Sequence, residues 1–216
     1  MPLIRSVFQD ELDSVSQTLF DLSVMVSDSM ARATTSLMTK DLKLAEEVIT
    51  SDEKIDTVKH DLDARIIDII ARQQPVASDL RALVTALRMS ADLERMGDLA
   101  HHVAKLVRLR HPASAVPAEL LALVEVIGET AEKIATKTGV VISTRDVALA
   151  AQVEKDDDVM DELHRKLISA LIEPSWSHGV ETAIDLTLLG RYYERYADHA
   201  VSVARRVIFL VTGKFA

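Results

Sequence analysis

The chain repeats itself, and this constrains its fold more than any other feature. Asp41-Leu42-Lys43-Leu44-Ala45 lines up with Asp146-Val147-Ala148-Leu149-Ala150 at an offset of 105 residues. Asp52 and Asp56 fall on Asp157 and Asp161 at the same offset. Glu94-Arg95-Met96-Gly97-Asp98 returns as Glu194-Arg195-Tyr196-Ala197-Asp198 at an offset of 100. The change of offset places a shorter connection in the second half, near Pro174. A gap in a turn with none inside helices is what a structural duplication produces.

Within each half the apolar residues recur at helical spacing. The first stretch, Leu3 to about Thr39, carries Val7, Phe8, Leu12, Val15, Leu19, Leu22, Val26, Met30, Ala33 and Leu37. Asp41 is placed to cap the second, which ends at Pro75. The third runs from about Ser78 to Arg110. His111-Pro112-Ala113-Ser114-Ala115-Val116-Pro117 is the clearest linker in the chain. Three more stretches follow, about Ala118 to Ser143, Asp146 to Pro174 and His178 to Thr212, with Gly213 as a C-cap. The expected fold is all-α: two tandem three-helix bundles, residues 1–111 and 117–216, elongated. Helices of 25–36 residues would be about 40–55 Å long at about 1.5 Å per residue.

Composition narrows the function classes. Hydrophobic residues make up 48% of the chain, with six glycines and five prolines, the balance of a soluble helical protein. A net charge of −9 argues against a nucleic-acid binder. No apolar run reaches the roughly 18 residues of a membrane span. Met1–Ser6 has no signal-like segment, and the absence of cysteine excludes disulfides and thiolate zinc sites. A location in the cytoplasm, free or peripheral to the inner face of the membrane, is expected.

The acidic pairs carry the chemistry. All four are spaced i, i+4, which stacks both carboxylates on one helix face and costs an isolated helix about 0.2–0.5 kcal/mol per pair. Pro75 sits about 19 residues from both Asp56 and Glu94, so an antiparallel hairpin brings those pairs to one height. The second-half match around Pro174 is looser. Asp52, Asp56, Glu94 and Asp98, with Asp157, Asp161, Glu194 and Asp198, are therefore the candidate metal ligands. Oxygen donors of this kind suit Mg²⁺, Mn²⁺, Ca²⁺ or oxidised iron. The competing reading is a solvated face neutralised by Arg95, Arg195, Lys54 and Lys59.

His60, His101, His102 and His164 each follow an aspartate by one helical turn, but none recurs in the other half. Gly97 and its counterpart Ala197 suggest close helix approach beside the carboxylates. Tyr192, Tyr193 and Tyr196 read as packing around Glu194, and Trp176 as a cap on the bundle end.

These motifs resemble the PhoU family of phosphate-transport regulatory proteins over essentially the whole chain. Asp52-Glu53-Lys54-Ile55-Asp56 is similar to the family's first-unit acidic motif. Ala91-Asp92-Leu93-Glu94-Arg95-Met96-Gly97-Asp98 and Arg191-Tyr192-Tyr193-Glu194-Arg195-Tyr196-Ala197-Asp198-His199-Ala200 are similar to its third-helix motif. Leu99 and Tyr193 depart from the usual His and Leu. The resemblance implies carboxylate-bound metal clusters, with iron or zinc in some members. It also implies a non-enzymatic negative regulator contacting the phosphate ABC transporter and its sensor histidine kinase from the cytoplasmic side, often as a homodimer. Manganese and magnesium remain open as metals. A phosphohydrolase or di-iron enzyme and a metal-free helical adaptor are the alternatives. No E-x-x-H pair, phosphate-cradling glycine loop or obvious nucleophile supports the enzyme.

Overall fold

A computed structural model of the chain describes residues 2–214, with side chains described from Val7. Met1 and Phe215–Ala216, the outermost ends of the two expected units, lie outside the described residues. Six α-helices and one short 3₁₀ turn account for the architecture: α1 Pro2–Thr39, α2 Leu42–Gln73, α3 Ala77–Arg110, the 3₁₀ turn Ala118–Leu120, α4 Leu121–Thr144, α5 Val147–Leu171 and α6 Gly179–Thr212. Helices α1–α3 pack as one bundle and α4–α6 as a second. There is no strand among the described residues.

The helix ends follow local chemistry. Asp41 accepts a hydrogen bond from the Leu44 amide at 3.0 Å, and its repeat equivalent Asp146 accepts from Ala148 and Leu149 at 2.8 and 3.0 Å. Each side chain satisfies amides that have no partner inside the helix. Gln74, just before Pro75, closes α2 with φ 46°, and Gly213 closes α6 with φ 71°. The expected fourth helix begins as the 3₁₀ turn behind Pro117 and becomes α-helical at Leu121.

The apolar stripe of α1 from Val15 to Leu37 is buried throughout, whereas Val7 is exposed. The same helix faces both bundles, for it packs on α4 as well as on α2 and α3. At the α1–α4 crossing a Cβ on Gly128 would stand 2.3 Å from Thr34 Cγ2. Helix α3 packs on α6, which makes the second seam between the halves. Tyr193 and Tyr196 are fully buried on α6 and reach α1. The Tyr193 hydroxyl shares a 2.7 Å hydrogen bond with Thr34 Oγ1, and the Tyr196 hydroxyl donates to the Val26 carbonyl at 3.0 Å. Burial pushes both phenols well above the usual tyrosine range, and the charge of Glu132 adds to the effect at Tyr196. Trp176, in the turn before α6, donates its indole N–H to the Gly179 carbonyl at 2.9 Å and packs on the core.

Candidate metal centre

In the first bundle α2 supplies Asp52 and Asp56, and α3 supplies Glu94 and Asp98. Gly97 allows α3 to lie against α2: a Cβ there would come within 3.1 Å of Ile55 and 3.4 Å of the Asp52 carboxylate. Burial first, then the charges of Asp98 and Asp56, raise the Glu94 carboxyl above its usual range, against the opposing Arg95 and Lys59. Glu94 therefore feels Asp56 across the hairpin, and the approach of Gly97 to Asp52 and Ile55 sets these stretches of α2 and α3 at one height about Pro75.

Asp52 has a different neighbour. It is buried, and His101 Nδ1 from α3 hydrogen-bonds its Oδ2. The other ring nitrogen of His101 is buried without a partner among the described residues. Arg95 donates to Asp98 at 2.8 Å and lies 3.8 Å from Glu94. Lys59 pairs with Asp63 at 3.0 Å. His60 turns back to the Asp56 carbonyl at 2.8 Å and so does not extend the acidic row.

The second bundle gathers Asp157, Asp161, Glu194 and Asp198 from α5 and α6. Burial, followed by the charges of Asp161, Asp198, Asp158 and Glu194, pushes the Asp157 carboxyl up to about 6. Its Oδ1 is buried and has no hydrogen-bond partner among the described residues. Glu194 is raised by burial and by Asp198, against Arg191 and His164, and it hydrogen-bonds Arg191. Close approach of α5 and α6 has the same origin as in the first bundle. A Cβ on Gly190 would fall 2.9 Å from Leu167 and 3.0 Å from His164.

Among the described residues no three His, Asp or Glu side chains stand in an arrangement ready to hold a metal ion. The chemistry of the donors nonetheless fits one, better in the second bundle than in the first. Asp157 presents a buried, unpartnered carboxylate oxygen amid like charges, which a hard cation would satisfy. In the first bundle a cation would have to displace His101 from Asp52 and Arg95 from Asp98.

Part of the polar architecture lies outside the acidic pairs. Asp92 on α3 accepts hydrogen bonds from three residues of α6: His199 Nδ1 at 3.1 Å, Ser202 Oγ at 3.0 Å and Arg206 Nε at 2.8 Å. Burial alone would raise Asp92, but the bonds from His199 and Arg206 prevail and hold it below the usual carboxylate range. Asp92 and His199 both lie inside the repeated motifs. Their pairing was invisible there, because it joins residues 107 positions apart.

A family model described as "PhoU domain" matches residues 19–107 and again 124–207. The chain is 46% identical over 212 residues to the phosphate-specific transport system accessory protein PhoU homolog 1 of Mycobacterium leprae, covering 98% of this chain and 96% of that protein. It is 44% identical over 212 residues to PhoU homolog 2 of Mycobacterium tuberculosis, covering 98% and 100%. Among solved structures, PhoU from Pseudomonas aeruginosa superposes with a TM-score of 0.83 at 28% identity, covering 96% of this chain and 100% of that one. The phosphate transport system regulatory protein PhoU from Streptococcus pneumoniae has the same fold, with a TM-score of 0.87 at 23% identity over 97% and 99% of the two chains.

Proposed function

From the premise that this chain belongs to the PhoU family, we propose that it is a negative regulator of high-affinity phosphate uptake and of phosphate-starvation signalling. It acts by binding the phosphate ABC transporter and its sensor histidine kinase on the cytoplasmic side, as a homodimer. The chain is a non-enzymatic protein. Its relatives bear the names of accessory proteins of phosphate-specific transport, which supports the assignment to that system. No helix among the described residues is long and apolar enough to cross a membrane, so contact with a transporter would be made by docking.

We assign metal binding to the carboxylates, with Asp157, Asp161, Glu194 and Asp198 as the stronger site and Asp52, Asp56, Glu94 and Asp98 as the weaker. The observation that carries this is the buried Oδ1 of Asp157, unpartnered and surrounded by three other candidate ligands. Bound there, iron, zinc, manganese or magnesium would neutralise the repulsion between α5 and α6 and brace the face they form. The chain's own residues set how firmly it is held. Arg191 competes for Glu194, and Gly190 lets the two helices approach.

Two experiments address the two parts separately. Deleting the gene and following phosphate uptake and a starvation reporter in rich phosphate tests the regulator; loss of repression is expected, and unchanged repression would remove it. Substituting Glu194→Ala with Asp198→Ala tests the ligands. Metal measured by elemental analysis should fall, and undiminished metal would reject the assignment.

A further inference from the structure

We propose that the groove between α3 and α6 is an oxyanion site for a phosphate dianion, free or carried on a small phosphomonoester. This goes beyond the metal reading and does not depend on it. The groove encloses about 380 Å³, within the roughly 300–1,000 Å³ range of small-ligand sites. Arg95 lines it from α3, and Arg191 and Arg195 line it from α6. Three guanidinium groups around one hollow are unexpected in a chain of net charge −9.

Their donors are only partly used. Arg195 is exposed and has no hydrogen-bond or ion-pair partner among the described residues. Arg191 reaches Glu194 through Nη1 alone, and Arg95 donates to Asp98 through Nη1 alone. A guanidinium offers five N–H groups, so several remain for a ligand. Asp98 also lines the groove with one oxygen on Arg95, which lies near Glu94 as well, and Glu194 pairs with Arg191, so Arg195 is the lining guanidinium with no acidic partner among the described residues. A planar carboxylate is satisfied by one guanidinium fork, whereas arginines from both walls suit an anion with oxygens on several sides. His199, another lining residue, is fixed by Asp92 through Nδ1, which leaves its other ring nitrogen for the groove.

The duplication argues that this is not an ordinary solvated face. At an offset of 100, Arg95 matches Arg195, but Arg191 matches Ala91 and Tyr192 matches Asp92. One end of the α3–α6 seam is therefore closed by Asp92 and its three donors. The other end gains a third arginine and an aromatic pair, His102 stacked on Tyr192 at 5.1 Å between centroids and 21° between planes. That platform beside the arginines is where an organic group attached to the phosphate would lie.

The test is calorimetric titration of the full-length protein, in low salt with EDTA so that no metal bridges the anion. Inorganic phosphate and adenosine monophosphate are titrated separately. One saturable site per chain is expected, displaced by sulfate and not by chloride at equal ionic strength. Arg195→Gln should weaken it by about tenfold or more, and Arg191→Gln with Arg195→Gln further, since each removes a charged donor. Arg165→Gln, an exposed arginine on α5, should leave it unchanged. Tighter binding of adenosine monophosphate, lost in Tyr192→Leu, identifies a phosphomonoester; equal or weaker binding identifies the free anion. Failure of both probes to saturate overturns the proposal. So does unchanged affinity in Arg195→Gln, an exposed position with no hydrogen bond or ion pair among the described residues, which should fold normally. Either failure leaves the metal and regulator readings standing, because their tests measure bound metal and repression.

Discussion

Asp157 shows how burial and like charge act on one side chain. With its carboxyl pushed up to about 6, the folded protein holds that proton more tightly than the unfolded chain does. Above that pH the ionised form is a liability unless a cation is present. In chelator at pH 7.5, Asp157→Asn should therefore raise the thermal midpoint and remove the further rise that added metal gives the wild type. A lower midpoint in chelator would mean the repulsion is already relieved. Asp92 is the opposite case. Held below the usual range by His199, Arg206 and Ser202, it stabilises the fold above the ordinary carboxylate pKa and loses that contribution as pH falls through its own. Asp92→Asn should cost about 1–3 kcal/mol at pH 7. The penalty should shrink toward pH 3, as denaturant titrations at several pH values would reveal.

Between helices, small residues set the distances. Gly97 sits where α3 closes on Ile55 and Asp52 of α2, Gly190 where α6 closes on Leu167 and His164 of α5, and Gly128 where α1 meets α4. Alanine is the better helix former by about 1 kcal/mol. At Gly128 that gain is opposed by Thr34, whose position is fixed by its bond to Tyr193. Overpacking typically costs about 1–3 kcal/mol, so Gly128→Ala should destabilise on balance. Thr34→Ala in the same chain should recover part of the loss, with a coupling of about 0.5 kcal/mol or more in a double-mutant cycle. Strict additivity would show that the crossing adjusts freely.

The six helices share one apolar interior, because α1 and α3 each bury a face against the second bundle. Cutting the chain in the linker after Ser114 would uncover both faces. The full-length protein is expected to melt in a single calorimetric transition. The 1–114 fragment should self-associate or unfold without cooperativity, as size exclusion and calorimetry would record. A monomeric fragment with a sharp transition would mean that each bundle is independently stable.

What could be read along the chain was whatever is encoded within one helix or between its ends. The stripe from Val15 to Leu37, the caps at Asp41 and Gly213, the helix start at Asp146, the break at Pro75 and the i, i+4 acidic pairs are all short-range patterns. The shared height of the α2 and α3 acidic pairs about Pro75 was readable for the same reason, since a tight antiparallel turn fixes relative height by counting residues. Cross-helix partners are not local. That His101 takes Asp52, that Asp92 gathers three donors from α6, and that three arginines meet in one groove depend on how each helix is rotated about its axis. That rotation is set by packing the whole interior, Tyr193 and Tyr196 included, and no spacing within a single segment specifies it.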